Sequence, residues 1–150
     1  MDERTALKEA RELIDEAKYG ILATVNAEGS PEQRWMSPVR LPRFPDSLFC
    51  VTSSRFGKVA QLETNPQVSW IFQPIGLDRV VSVRGRAEIV RDPMLAAEVQ
   101  EAIGPHLRVF WKYAELPSNL VVVRTDVEEY LYFVPLKSIR ERVRVATERL

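Results

Sequence analysis

Residues Arg34 to Lys58 collect the donors and cations that a phosphate group needs, at a spacing that a strand, a polar loop and a helix can bring together. Phe49, Val51 and Thr52 read as the end of a strand, and Ser53-Ser54-Arg55-Phe56-Gly57-Lys58 leads from it into a short helix. The first turn of a helix leaves backbone N–H groups unpaired and carries partial positive charge, so it suits an anion. Thr52, Ser53 and Ser54 add hydroxyl donors, Lys58 adds a point charge, and Arg34 or Arg55 adds a planar fork. The only acid between Arg34 and Lys58 is Asp46, in a predicted turn. The same residues also read without a ligand. A serine loop before a helix is a common N-cap, and a Lys or Arg at a strand end is commonly solvated. No glycine-rich fingerprint decides between the two readings.

Elsewhere the inventory for acid–base or nucleophilic chemistry is thin. There is one histidine, His106, and one cysteine, Cys50. A loop histidine without a partner base is ordinarily solvated, and a single Cys with a single His argues against a zinc site or a Cys-His nucleophile. Cys50 alternates with Phe49 and Val51, so it faces the other side of the strand and reads as a small buried hydrophobe. Glu128 and Glu129 are adjacent on a strand and point to opposite faces, which denies them a shared acid–base site. Trp70 reads as core. Trp35 divides between core and a cleft, and Phe110, Trp111, Lys112 and Tyr113 read as packing under a loop or as aromatic walls of a cleft. Chemistry in such a chain falls to a bound cofactor.

The elements that position these residues follow from periodicity. Leu7, Ala10, Leu13, Ile14 and Ala17 form the stripe of an amphipathic helix, which Gly20 is expected to end. Ile21 to Asn26 and Pro31 to Val39 read as a hairpin around Asn26-Ala27-Glu28-Gly29, a type I turn closed by a left-handed glycine. Pro42, Pro45 and Asp46 break the chain before a strand from Leu48 to Thr52. The helix carrying Val59 and Leu62 stops at Asn65-Pro66. Val68 to Phe72 and Val80 to Val90 are strands, the second bending at Gly85. Asp92-Pro93 opens a helix that Gly104-Pro105 closes. Leu120 to Arg124 and Val127 to Phe133 read as two strands before a charged C-terminal helix from about Ser138. On that helix Arg140, Arg142, Arg144 and Arg149 interleave with Glu141 and Glu148 as a solvated face.

Short strands with hairpin signals and few helices predict a mainly β chain, a β-barrel with peripheral helices, in one domain over residues 1–150. Lys plus Arg equals Asp plus Glu at 21 each, so no overall field draws in nucleic acid, and no apolar run is long enough to span a membrane. MDERTALKEARE is charged where a signal peptide is apolar, so a cytoplasmic location is expected.

The stretch GILATVNAEGSPEQRWMSPV, followed by LFCVTSSRFGKVAQLETNPQVSWIF, resembles the pyridoxamine 5′-phosphate oxidase-like FMN-binding split barrels, and among them the short general stress protein group. The resemblance covers roughly residues 5–135. Its sharpest part is T-S-x-x-x-x-K before a helix that ends in N-P. It implies a six-stranded antiparallel split barrel, FMN as cofactor, and a homodimer with its flavins in clefts between subunits. It also implies that Arg34, Trp35, Met36 and Ser37 present an arginine and backbone to the flavin, and that Val51, Thr52, Ser53 and Lys58 hold its phosphate.

The chain departs from the oxidases that name the superfamily. Phe56 and Gly57 stand where those enzymes often carry serine and arginine, and their flavin-contacting glutamine is replaced near Val80 or Val81. The chain ends in VEEYLYFVPLKSIRERVRV rather than in their substrate-gripping arginine–histidine segment, so vitamin B6 oxidation is not expected. The expected function is oxidoreduction of an unknown small substrate by bound FMN. The alternatives are a flavin-binding or sensing module without turnover, and the same barrel holding a deazaflavin coenzyme.

Overall fold

The computed structural model describes residues 1–104 and 120–146; His106, Phe110, Trp111, Lys112, Tyr113, Glu148 and Arg149 lie outside them. Helix α1 (Glu3–Ala17) starts at Asp2, whose Oδ1 accepts the Thr5 N–H at 2.7 Å and so caps the first turn. Strands β1 (Gly20–Val25), β2 (Pro31–Met36), β3 (Val39–Leu41) and β4 (Phe44–Ser53) follow. Then come α2 (Gly57–Thr64), β5 (Gln67–Phe72), β6 (Val80–Val90), α3 (Pro93–Ile103), β7 (Leu120–Val134) and β8 (Ile139–Arg144). The strands form one antiparallel sheet in the order β2-β1-β5-β6-β7-β4-β3, with β8 paired to the far half of β7. This is a curled, open barrel: a split barrel.

Two apolar layers hold it. Leu22, Leu48, Trp70, Phe72, Val83 and Tyr130 fill the inside of the curl against Ala10, Leu13 and Ile14 of α1. Phe49, Val51 and Val122 point the other way, beneath Ala96, Val99 and Ile103 of α3. Strand β4 is therefore buried on both faces, which is why Leu48 to Val51 reads as an unbroken apolar run. Cys50 lies inside and its neighbours lie under α3, as alternation requires. Trp70 is core: its ring stacks on Phe72 with centroids 5.6 Å apart, and its Nε1–H donates to Thr125 Oγ1 at 3.1 Å. At the end of the barrel opposite Thr52, Asp46 accepts from Arg11 at 2.7 Å and from the Tyr130 hydroxyl at 2.8 Å, pinning α1 to β4 and β7.

Four expectations need correction. Eight strands are present among the described residues, not six. The short β3 and the C-terminal β8 are additional, and the two strands expected after Leu120 are one, β7. Thr125 and Asp126 do not break β7, because Thr125 receives the Trp70 N–H while Asp126 accepts from Ser47 at 2.7 Å and from Arg124 at 2.9 Å. The charged C-terminal segment is a strand rather than a helix. Alternation there turns Val143 inward and leaves Arg140, Arg142 and Arg144 exposed on the other face. Finally, α1 ends at Lys18 in a left-handed conformation (φ 62°), and Gly20 begins β1. Gly20 is needed for closeness: a Cβ there would overlap the Phe72 ring.

Gly85 does bend β6. The β6–β7 register shifts between Arg84 and Gly85, opposite Glu128, and a Cβ at Gly85 would collide with the Asp126 carbonyl. The bulge brings Glu129 into a nearly buried position between Arg84 and Arg142, each donating at 2.5 Å. Among the described residues, no helix is long and apolar enough to cross a membrane.

Candidate anion site

The β1–β2 turn sets the site's register. Asn26 Oδ1 accepts the Glu28 and Ser30 N–H groups at 3.0 and 2.9 Å, and Gly29 takes φ 84°, closing the turn as its sequence predicts. Thr24 then lies opposite Glu32, and Leu22 opposite Arg34. All four share the face that α2 covers, where α2 is anchored by the buried Val59 and Leu62. On α2, Lys58 and Gln61 are three residues apart and so lie on one side of the helix. Thr52, at the end of β4, points to the same interior side as Cys50.

These residues make one hydrogen-bonded cluster. Arg34 Nη1 donates to Thr24 Oγ1 at 2.7 Å and to the Leu22 carbonyl at 3.3 Å; Nη2 reaches Gln61 Oε1 at 3.5 Å. The Thr24 hydroxyl donates to Gln61 Oε1 at 2.6 Å, and Gln61 Nε2 donates to Glu32 Oε2 at 2.5 Å. Glu32 Oε2 stands 4.0 Å from Arg34 Nη2. Burial lowers the pKa of the Arg34 guanidinium, with Glu32 opposing.

Lys58 is held differently. Its ammonium donates to Thr52 Oγ1 at 2.9 Å and sits 4.4 Å from the centre of the Phe56 ring. No carboxylate among the described residues pairs with it. Burial pushes its pKa down to about 8, opposed in part by Cys50 and assisted by a smaller effect of the nearby Arg34 charge. Two neighbouring, partly desolvated cations, one of them without a carboxylate partner among the described residues, form an arrangement that an anion relieves. Phe56 occupies the N-cap of α2 and its side chain makes no cap hydrogen bond, so it does not take the role that a phosphate oxygen would fill there. The donor set fits a phosphate monoester.

The other predicted residues separate. Ser53 lies at the mouth of the loop, where its Oγ accepts the Arg55 N–H at 3.3 Å. Val51 points away from Lys58, beneath α3, so only its backbone faces the candidate site. Ser37 spends its hydroxyl on the Lys18 carbonyl at 2.9 Å, and Met36 packs against the core. Trp35 lies on the outer face and is 66% exposed, beside Ile21 and Ile71. Cys50 does have a cation near it, Lys58, but burial outweighs that charge and pushes the thiol up to about 12. Thr24, Glu32 and Gln61 were missed in the sequence. Hairpin register from the Asn26 turn and the three-residue step from Lys58 are the signals that locate them.

The pyridoxamine 5′-phosphate oxidase family matches residues 6–133. The chain belongs to that family. Solved structures agree on the fold of this family member. General Stress Protein 26 from Bacillus anthracis is 20% identical, with a TM-score of 0.74 over 93% of this chain and 98% of that one. A general stress protein 26-related protein of the pyridoxinephosphate oxidase family from Clostridium acetobutylicum is 16% identical, with a TM-score of 0.77 over 97% of each chain. An F420 reductase is 22% identical, with a TM-score of 0.63 over 80% of this chain and 94% of that one. No curated protein matches the sequence.

Proposed function

We propose that this chain is a flavoprotein that binds FMN by its phosphate and uses it to oxidise or reduce a small substrate. The observation that carries the proposal is Lys58, a cation held by Thr52 and Phe56 with no carboxylate partner among the described residues. Lys58 and Arg34 bind the phosphate, Thr52 orients the ammonium, and the first turn of α2 offers backbone N–H groups. FMN supplies the hydride or electron transfer when bound. The protein's own contribution is positional: among the described residues of this cluster the one carboxylate is Glu32, which its hydrogen bonds keep ionised.

A homodimer belongs to the same proposal. It accounts for the apolar side chains that the described chain leaves open on its outer face, Tyr19, Trp35, Ile71, Ile75 and Leu77. The likeness to an F420 reductase supports a second reading, a deazaflavin held by the same phosphate anchor.

The visible absorption spectrum of protein purified without added cofactor tests the cofactor. An oxidised-flavin spectrum is expected; a deazaflavin or haem spectrum overturns the FMN assignment. NADH or NADPH consumption by the flavin-loaded protein then separates an enzyme from a storage or sensing module. If no donor reduces the flavin and no acceptor reoxidises it, the enzymatic half of the proposal falls.

A further inference from the structure

One charge at the site opposes phosphate binding. Glu32 is on the same face of β2 as Arg34, two residues before it, and is held by hydrogen bonds at both oxygens. Gln61 Nε2 donates to Oε2 at 2.5 Å and Asn26 Nδ2 donates to Oε1 at 3.3 Å. These two bonds, Gln61 first, hold its carboxyl below the usual range, with a further contribution from the Arg34 charge, so it is ionised at neutral pH. At 4.0 Å it partly neutralises Arg34, the cation whose charge acts on Lys58. Through Gln61 Oε1, which also takes the Thr24 hydroxyl, the same cluster draws Arg34 Nη2 toward itself.

We infer that Glu32 is a positioning residue that competes with the FMN phosphate for Arg34, making the bound flavin exchangeable rather than permanently held. The inference rests on the FMN reading above and deepens it. A phosphate bound at Arg34 sits near a carboxylate 4.0 Å from the same guanidinium. Of the three charges, Arg34 and Lys58 attract the phosphate and Glu32 repels it. Removing the repelling charge while keeping the shape strengthens the phosphate hold and slows release.

The test is Glu32→Gln, which keeps side-chain length and an oxygen acceptor for Gln61 or Asn26. FMN and riboflavin are titrated into wild type and variant by flavin fluorescence, and FMN dissociation is followed by displacement. E32Q is expected to bind FMN about three- to ten-fold more tightly, chiefly through slower dissociation, with riboflavin unchanged. Added salt narrows the difference between the two proteins. A melting temperature equal to wild type confirms that α2 still clasps the hairpin. FMN affinity that is unchanged or weaker in E32Q, with riboflavin unaffected, overturns the inference, because Glu32 then aligns Arg34 for the phosphate instead of competing for it. Equal shifts for both ligands overturn it too, by showing a general effect on the fold. A wild-type protein that binds neither flavin defeats the FMN reading itself, and this inference with it.

Discussion

Lys58 stands against two local preferences. It lies in the first turn of α2, where positive charge opposes the helix dipole, and it is partly desolvated without an acidic partner. A hydrogen bond to a charged group contributes about 1.5–3 kcal/mol, so Lys58→Ala is expected to weaken FMN binding about ten- to a hundred-fold while leaving riboflavin nearly unchanged. Equal losses for both ligands in a titration would remove Lys58 from the phosphate site. The same residue has a stability signature in the free protein. Its folded pKa of about 8 lies below the ordinary 10.5, so between these values the unfolded chain binds more protons and stability rises with pH. Below about 8 the buried charge costs stability at full strength. Lys58→Met keeps the stem and removes the charge. It should therefore raise the melting temperature of the flavin-free protein at neutral pH, by an amount corresponding to about 1 kcal/mol once solvent contact is discounted. Thermal melts should show that gain shrinking as pH rises from 8 toward 10.5. A gain that persists unchanged to high pH would mean that the charge is not its cause.

At the scale of elements, β6, β7 and β8 carry the bulge and a charged cluster of the barrel. Gly85→Ala would drive a methyl group into the Asp126 carbonyl across the bulge, with backbone rather than a movable side chain in the way. Chemical denaturation should show a loss of roughly 2–3 kcal/mol; an unaffected midpoint would show that the bulge can relax. Glu129 joins three strands through Arg84 and Arg142. The Arg142 hydrogen bond, opposed by burial and assisted by the Arg142, Arg84 and Arg144 charges, lowers its pKa below 4.5. A depressed carboxylate contributes stability that is present above its unfolded value and lost as pH falls through the folded one. Glu129→Gln is therefore expected to be less stable than wild type at neutral pH, and the gap should close on acidification below 4.5. A gap that stays constant with pH would assign the loss to packing.

These strands also show how far local sequence reaches. The Asn26 turn, the Asn65-Pro66 and Asp92-Pro93 boundaries and the Gly85 bend were legible because each rests on the chemistry of a few adjacent residues. Residues 139–144 were not, because IRERVR alternates charge in a way that suits a helix face or a strand face equally. Pairing with β7, and the demand of Glu129 for Arg142, decide it. The site divides in the same way. Arg34, Thr52 and Lys58 could be placed by motif resemblance, whereas Thr24, Glu32 and Gln61 needed the register that folding imposes.

For the whole molecule, the open barrel leaves a row of apolar side chains around Trp35 uncovered, and a second copy is the proposed cover. Sedimentation at micromolar concentration should give a mass near twice 17.2 kDa, and a clean monomer that still binds FMN tightly would contradict a shared cleft. The central claim concerns the phosphate, and comparing FMN with riboflavin in the wild-type protein across pH tests it most directly. At pH 7, FMN should bind at least about ten-fold more tightly than riboflavin, since the ring is common to both and only the phosphate meets Lys58 and Arg34. That advantage should fall as pH rises through about 8 and Lys58 loses its proton, while riboflavin affinity stays level. Equal affinities at pH 7, or an FMN advantage that does not respond to pH, would contradict the account.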